Sequence, residues 1–223
     1  MIELKNIFKI YETNSIEKVT ALKDINLSFN EGELIVLKGA SGSGKSTILS
    51  LIASLSKPTT GEVIVDKKKI SKLPDNFASI YRRDNIGFIF QKYNLITTLT
   101  VQENILLPLI PLNLNTSLAQ KKLERVMKMF QIEHKKDSLV KNLSGGEQQR
   151  VAIARANVNN PKIIIADEPT ANLDKKLSLS FIEIIKKLKS ENKTIIIATH
   201  DPLFFNLDIV DREITISDGT AIL

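Results

Sequence analysis

The chain has 223 residues, 43% of them hydrophobic and 25% charged, which suits one well-packed domain and is short for two. It contains no cysteine, so disulfides, zinc–thiolate sites and thiol catalysis are excluded. The net charge of +6 allows nucleic acid or an anionic membrane as a partner, but the lysines are scattered and are not interleaved with aromatic residues. We therefore expect no nucleic acid partner.

The first third of the chain predicts strands that lead into a glycine-rich loop. Residues 2–7 and 25–29 alternate between apolar and polar residues, as half-buried strands do. Residues 33–38 predict a buried strand and residues 46–53 a helix, with the glycine loop Gly39–Thr47 between them. A phosphate-binding loop requires this order of strand, loop and helix.

The middle of the chain, from about residue 92 to residue 143, has a helical pattern. Thr100–Glu103 and Ser117–Gln120 are both capping-box patterns, and each predicts the start of a helix. Three large apolar residues then recur at the spacing of one buried helix face: Leu123, Val126 and Phe130. The most apolar stretch, residues 105–112, is too short to span a bilayer and contains two prolines. We expect a helical subdomain here and no membrane crossing, and the chain start gives no signal-peptide pattern.

The last third returns to an α/β pattern. Residues 163–166 and 194–198 are short continuous apolar runs, typical of central parallel strands. Between them, four apolar residues at helical spacing predict a core-facing stripe: Leu177, Phe181, Ile184 and Leu188. Residues 213–222 predict a hairpin that turns at Asp218–Gly219.

The glycine loop is a candidate nucleotide site. Glycines let successive backbone N–H groups surround phosphate oxygens, and the helix that follows directs its positive end at them. We expect Lys45 to contact the β- and γ-phosphates, Ser46 to ligate Mg²⁺ and Thr47 to contact the α-phosphate. The candidate binding residues are Gly39, Ser41, Gly42, Ser43, Gly44, Lys45, Ser46 and Thr47.

Two adjacent carboxylates, Asp167 and Glu168, end the apolar run 163–166. Adjacent buried carboxylates are costly unless they face a cation. We expect Asp167 to hold Mg²⁺ and Glu168 to act as the general base that polarises the attacking water.

The segment Leu143–Arg150, called the signature below, has two interpretations. Ser144-Gly-Gly-Glu147 is a capping box, so it predicts the start of a helix. The same helix N-terminus, with two glycines beside it, also offers a flat site for an anion such as a γ-phosphate.

The glycine loop, the signature and residues 163–168, in that order, resemble the ATP-binding-cassette ATPases, over about residues 11–200. The resemblance implies an α/β fold: a P-loop nucleotide-binding core (1–91 and 144–223), an antiparallel β subdomain and an inserted helical subdomain (about 92–143), all in one domain. It also implies that Ser144, Gly145 and Gly146 complete the ATP site of a second copy in a head-to-tail dimer.

The same resemblance assigns roles to four single residues. Gln91 matches the glutamine that senses Mg²⁺ and water, and His200 matches the switch histidine for the γ-phosphate. Tyr11 matches the aromatic residue that stacks on adenine, and Asp174 matches the acid of a loop that crosses the dimer interface. Without the resemblance, Gln91 would be interpreted as a surface residue. Tyr11 could equally well be a tyrosine packed in a strand.

Residues 171–174, Ala-Asn-Leu-Asp, resemble the Gly-Asn-Leu-Asp of lipoprotein-release and macrolide-efflux (LolD/MacB-like) ATPases. The resemblance implies an ATP-hydrolysing subunit that serves separate integral membrane permease chains, in export or mechanical work. We expect it at the cytoplasmic face of the inner membrane, held peripherally through the permease. The alternatives are the ATPase of a cell-division regulator that moves no substrate and a soluble cassette ATPase acting on nucleic acid or ribosomes.

Residues 91–112, called the coupling segment below, are expected to face the permease. They contain four large apolar residues in a region that the sequence predicts to be a loop: Tyr93, Leu95, Ile96 and Leu99. Exposed apolar surface of this kind often marks a partner site. The alternative is that these side chains fill the core of the helical subdomain.

Overall fold

The computed structural model describes residues 1–12, 18–171 and 173–222. The strands are β1 (Ile2–Glu12), β2 (Lys18–Phe29), β3 (Leu34–Lys38), β4 (Thr60–Val65), β5 (Lys68–Lys69), β6 (Ile86–Ile89), β7 (Ile163–Asp167), β8 (Thr194–Thr199), β9 (Arg212–Ser217) and β10 (Thr220–Ile222). The α-helices are α1 (Lys45–Ile52), α2 (Asp75–Asn85), α3 (Val101–Leu106), α4 (Thr116–Met129), α5 (Gly145–Asn157) and α6 (Lys175–Ser190).

A six-stranded sheet in the order β10-β9-β3-β8-β7-β6 forms the centre of the molecule. Strands β9, β3, β8, β7 and β6 pair in parallel, and β10 is the antiparallel partner of β9 in the predicted hairpin. All six residues of β8 are buried, because helices and the second sheet cover both faces. The predicted parallel strands are thus confirmed.

The register of the parallel strands decides where the polar residues meet. Lys38 at the end of β3 pairs with Thr199 at the end of β8, and Asp167 of β7 pairs with Ala198. The glycine loop, Glu168 and His200 therefore leave the same edge of the sheet side by side. This is the carboxyl edge, where ligands bind in open α/β sheets.

A four-stranded antiparallel sheet, β2-β1-β4-β5, packs on one face of the centre. Its apolar side chains share a core with α1 and with Ile35 and Leu37 of β3. The other face of β3, with Leu34 and Val36, joins a second core that contains the buried residues of α3 to α6. Alternate residues of a single strand thus belong to two cores, as the period of a strand requires.

Helices α3, α4 and α5 lie between β6 and β7 in the chain. Thr100 caps α3 with the predicted reciprocal box, and the predicted face of α4 (Leu123, Val126 and Phe130) is buried. The predicted box at Ser117–Gln120 is wrong. Helix α4 starts at Thr116, and the side chain of Asn115 accepts a hydrogen bond from the backbone N–H of Leu118. Asparagine caps as well as serine does, and it comes earlier in the chain, so Ser117 lies inside the first turn.

The apolar stripe of α6 differs from the predicted one by a rotation of the helix. Phe181 and Leu188 are buried as predicted, but Leu177 and Ile184 are only partly buried. Ile182 and Ile185 complete the buried face instead. No helix in the described ranges combines the length and apolar composition needed to span a bilayer.

Candidate active site

The glycine loop passes close to two neighbouring strands. A Cβ atom on Gly39 would lie 2.1 Å from the carbonyl oxygen of Ile216, and one on Gly44 would lie 2.8 Å from that of Ala21. Gly44 also has a φ of 112°, which side-chain-bearing residues rarely adopt. The loop is therefore fixed between β2 and β9, and only glycine fits at these two positions.

Lys45, the first residue of α1, points back into the glycine loop. Its side chain is 4% exposed, and its ammonium donates hydrogen bonds to the carbonyl oxygens of Gly39 (2.7 Å) and Ala40 (3.0 Å). The same ammonium lies 3.5 Å from Oε1 of Glu168. A buried positive charge therefore sits in the concavity of the loop, where an anion would be attracted.

The hydroxyl of Ser43 is buried and has no hydrogen-bond partner among the described residues. Buried hydroxyls are nearly always paired, so an orphaned one indicates a partner that binds from outside the chain. Next to it, a Cβ atom on Gly42 would meet no described atom within 4 Å. A donor without an acceptor beside open space fits a phosphate oxygen.

Ser46 and Asp167 form an oxygen pair next to the loop. The Ser46 hydroxyl donates to Oδ1 of Asp167 over 2.8 Å. Burial is the main cause that raises the pKa of Asp167, and the charge of Glu168 adds to it, while the Ser46 hydrogen bond and Lys45 oppose it. Hydroxyl and carboxylate oxygens are the ligands that Mg²⁺ prefers, and a cation would favour the charged form of Asp167. The donor set fits magnesium.

Glu168 is held from several sides. Its backbone has a φ of 44°, in the left-handed region, and its N–H donates to the carbonyl of Ala198 over 2.8 Å. Oε2 accepts from the Thr199 hydroxyl (3.2 Å) and the His200 N–H (3.3 Å), and it lies 3.0 Å from Nδ1 of His200. A strained residue with a tethered carboxylate is typical of a functional position.

His200 and Gln91 lie at the same edge of the sheet. The His200 side chain is 63% exposed, so a ligand can contact it while it stays beside Glu168. Gln91 is exposed and follows β6, whose Ile89 pairs with Ala166 of β7. His200 thus contacts Glu168 directly, and Gln91 follows the strand that neighbours β7.

Tyr11 lies near the end of β1, where it pairs with Val19 of β2. Two residues further along β2, the Ala21 carbonyl lies where a Cβ atom on Gly44 of the glycine loop would meet it at 2.8 Å. Tyr11 is 40% exposed, and the Lys9 ammonium lies 4.6 Å from the centroid of its ring. The ring is accessible and close to the loop, and a cation already covers part of it.

The signature begins a helix in the structure. Ser144 is the N-cap of α5 and forms a reciprocal capping box with Glu147. Gly145 is exposed, and a Cβ atom there would meet no described atom within 4 Å, whereas one on Gly146 would lie 2.6 Å from Leu177. Backbone hydrogen bonding to Ser144 and the side-chain contact with Lys135 lower the pKa of Glu147 to about 2. The helix start is therefore open on one side and carries a firmly ionised carboxylate.

A sequence model of the family described as ABC transporter matches residues 22–171. The chain belongs to the ABC transporter family. It is the ATP-binding and ATP-hydrolysing chain of that family, a cassette ATPase.

Three relatives support this placement of the cassette. An uncharacterized ABC transporter ATP-binding protein, MJ1508 of Methanocaldococcus jannaschii, is 45% identical over 90% of this chain and 89% of its own length. The macrolide export ATP-binding/permease protein MacB of Campylobacter jejuni is 41% identical over 91% of this chain, which spans 31% of that relative's length. The dimeric structure of the ATP-binding cassette MJ0796, in a post-hydrolysis state with ADP and Pi, has a TM-score of 0.91 at 42% identity and covers 100% of this chain and 97% of its own.

Asp174 of the cassette is the N-cap of α6, and its carboxylate accepts a hydrogen bond from the Leu177 N–H over 2.8 Å. The neighbouring Asn172, part of the segment that suggested the LolD/MacB-like type, lies outside the described residues. Asp174 therefore caps a helix, and this role leaves it able to take part in an interface as well.

The apolar residues of the coupling segment do not share one environment. Ile96 is 45% exposed, as expected, but Leu95 packs against the core of the helices, and Tyr93 and Leu99 are partly buried. The interpretation as one exposed cluster is wrong for Leu95, because its side chain fills space beside buried residues. Ile110, at 65% exposure, is a further exposed residue of this segment.

Three polar residues of the site region were missed in the sequence. The Thr199 hydroxyl bonds to Glu168, and the Arg155 guanidinium donates to the carbonyls of Tyr93 (2.6 Å) and Asn94 (2.5 Å), which fixes the start of the coupling segment. Lys135 pairs with Glu147 at 3.0 Å. Thr199 could have been found from its place at a strand end beside His200, whereas nothing in the sequence marks Arg155 or Lys135.

Proposed function

We propose that two copies of this cassette close on two ATP·Mg²⁺ and that hydrolysis reopens them to drive separate permease chains, in export or in mechanical work across a membrane. One observation carries the proposal. A buried lysine, an oxygen pair and a tethered glutamate converge at the glycine loop, whereas the signature lies exposed at a helix start with open space beside it. The first site suits a nucleotide bound by one copy, and the second suits contact with the nucleotide of another.

The glycine loop would hold the phosphates. Its N–H groups and the Lys45 ammonium would contact the β- and γ-phosphates, which would replace the carbonyls of Gly39 and Ala40 as partners of Lys45. Ser43 would donate its unpaired hydroxyl to a phosphate oxygen, and Thr47 would contact the α-phosphate. Tyr11 would stack on the adenine, which its exposure and its place beside the loop support.

Ser46, Asp167 and Gln91 would hold the magnesium ion, directly or through water. Bound Mg²⁺ would supply charge neutralisation for the phosphates. Asp167 is already placed by its hydrogen bond to Ser46, so little rearrangement is needed to present two oxygens together.

Glu168 would take the proton of the attacking water. Its carboxylate lies 3.5 Å from the Lys45 ammonium, next to the expected position of the γ-phosphate. His200 contacts the same carboxylate and would orient it, and it would donate a hydrogen bond to the γ-phosphate. These groups stay in place during the reaction because β7 and β8 anchor them.

The second copy would contribute Ser144, Gly145 and Gly146. The exposed start of α5 presents N–H groups and a dipole that favour an anion, and Gly145 leaves room for it. Asp174 would lie at the same interface. The dimeric MJ0796 structure supports this arrangement, since that cassette matches 100% of the present chain.

The permease would dock on the coupling segment. Ile96 and Ile110 are exposed there, and a groove of about 290 Å³ lies between Phe88, Phe90, Pro108 and Arg155. The MacB relative, whose name includes both ATP-binding and permease functions, supports a membrane partner. The cassette would then lie peripherally at the cytoplasmic face, with residues 1–91 and 144–223 as nucleotide-binding core and about 92–143 as helical subdomain.

The test of the membrane partner is co-purification in mild detergent. An integral membrane permease should accompany the wild-type chain, and Ile96→Glu should reduce its yield at least about tenfold because a charge enters an apolar contact. Leu179→Glu is the matched control, since Leu179 is 48% exposed on α6, outside the coupling segment. Equal losses in both variants, or loss of the fold in Ile96→Glu, would remove the coupling segment as the docking site.

A further inference from the structure

The signature carries a carboxylate beside the groups that would contact phosphate. Oε2 of Glu147 accepts hydrogen bonds from the Ser144 N–H (2.8 Å) and the Ser144 hydroxyl (2.9 Å). The side chain of Glu147 is 24% exposed, so its charge is only partly screened by water. In the dimer proposed above, a negative charge would thus lie next to the γ-phosphate of the partner's ATP.

This arrangement creates an electrostatic conflict. The N-terminus of α5 attracts an anion through its dipole, but the effect equals only about half an elementary charge. A full carboxylate charge at the same helix start opposes it. When the two copies close, water leaves the interface and the repulsion grows because the local dielectric constant falls.

Lys135 reduces this repulsion because it pairs with the Glu147 carboxylate. It lies in the 3-10 turn Glu133–Lys135 that follows α4, and its ammonium is 3.0 Å from Oε1 of Glu147. Oε2 faces Ser144 while Oε1 faces Lys135, so the carboxylate is bonded on both of its oxygens. Capping box and ion pair together form a nearly neutral unit at the helix start.

We propose that Lys135 is a positioning residue for dimer closure: its pairing with Glu147 neutralises the signature carboxylate and allows the partner's ATP phosphate to approach Ser144 and Gly145. The inference rests on the proposed dimer. It assigns to the helical region a charge that acts on ATP without touching it.

If the pair served only the fold, its removal would change folding stability and not ATP-dependent dimerisation. The two side chains are 33% and 24% exposed, and ion pairs of that kind contribute little to folding stability. Removing Lys135 should therefore leave the fold intact. If the pair acts on closure, its removal instead weakens the dimer and does so only while Glu147 is charged.

The experiment uses the Glu168→Gln chain as the parent, with ATP and Mg²⁺, so that hydrolysis does not dissociate the dimer. Sedimentation should give a dimer dissociation constant about tenfold higher for Lys135→Met than for the parent. Lys135→Arg should stay close to the parent. Glu147→Gln keeps a residue that can cap and removes the charge, so the double variant Lys135→Met/Glu147→Gln should return to within about twofold.

Two controls separate the pair from general effects. Lys136→Met removes one positive charge from the adjacent position, and the structure gives Lys136 no ion pair with Glu147, so the dimer should change less than about twofold. Monomer affinity for ATP, measured by calorimetry, should stay the same in all variants because Lys135 contacts no group of the glycine loop.

The outcomes are distinct. A Lys135→Met chain that dimerises like the parent, or a double variant as weak as Lys135→Met alone, overturns the role of Lys135 and leaves the dimer proposal standing. If the parent itself remains monomeric with ATP, the dimer proposal is wrong and the role of Lys135 falls with it.

Discussion

At the carboxyl edge of the central sheet, Lys45 is 4% exposed and its ammonium contacts two carbonyls and a carboxylate. At the start of α5, Ser144 is exposed and its hydroxyl bonds to Glu147 of its own helix. Both regions present groups suited to phosphate. The first is assembled from four parts of the chain, and the second from a single helix start.

The two regions therefore suit different tasks. The elements that hold the site at the sheet edge in place are β3, α1, β7 and β8. Because the site is preorganised, little binding energy is needed to order its side chains. The helix start has few groups and little cover, so it binds an anion well only when another surface excludes water from it. A preformed site and an open half-site in one chain favour a dimer with shared sites.

The largest effect should come from the sheet edge. Glu168→Gln removes the proposed base and should lower ATP turnover by about a thousandfold, because general bases contribute roughly 10²–10⁴. ATP should still bind, and sedimentation should find a stable dimer with ATP·Mg²⁺. Glu183→Gln, on an exposed side chain of α6, is the control and should leave turnover unchanged. Turnover within about tenfold of wild type would place the base elsewhere.

A pair of substitutions separates the two regions next. Lys45→Ala should weaken ATP binding to the monomer by about 10- to 100-fold, since hydrogen bonds from a charged donor are worth about 1.5–3 kcal/mol. Ser144→Arg should leave monomer binding unchanged and block both dimer formation and hydrolysis. Calorimetry and sedimentation measure the two properties independently. Equal losses of monomer affinity would mean that the signature belongs to the same copy's site.

A single substitution at the metal site should have a milder effect than those above. Chelation of Mg²⁺ should stop turnover, and addition of Mg²⁺ should restore it. Ser46→Ala should raise the Mg²⁺ concentration for half-maximal turnover by about tenfold, as loss of one weak ligand or its partner does. Ser50→Ala, on the same helix, is the control because that hydroxyl bonds to the carbonyl of Thr47. An unchanged Mg²⁺ requirement in Ser46→Ala would exclude Ser46 as a ligand.

The smallest effect compares two capping boxes of the same kind. Thr100→Ala and Ser144→Ala should each destabilise the chain by about 1 kcal/mol, which lowers the melting temperature by about 2–4 °C. Only Ser144→Ala should also weaken the ATP-dependent dimer. Thermal unfolding with and without ATP·Mg²⁺ tests this. Equal behaviour of the two variants with nucleotide would reduce Ser144 to a plain helix cap.

The glycine loop and the parallel strands were predictable from the sequence because their signals are local. A buried strand needs a continuous apolar run, and glycines mark positions where the backbone comes close to another group. Residues 33–47 show both patterns, so the strand and the loop could be predicted. The cap of α4 was less predictable. Asn115 and Ser117 are both good caps, and the start of the helix depends on which one the incoming chain presents to the first N–H groups.

The family resemblance, the buried strands that lead into the glycine loop and into Asp167, and the polar residues that follow these strands can be recognised from the sequence alone. The packing of the elements, in contrast, sets which face of α6 is buried, ties Glu168 to Thr199 and His200, and brings Lys135 to Glu147. Helical periodicity fixes the width of an apolar face, but the neighbouring elements choose its direction. An ion pair between a turn and a helix, such as Lys135–Glu147, leaves no periodic signal, because charged residues are common on every solvated surface.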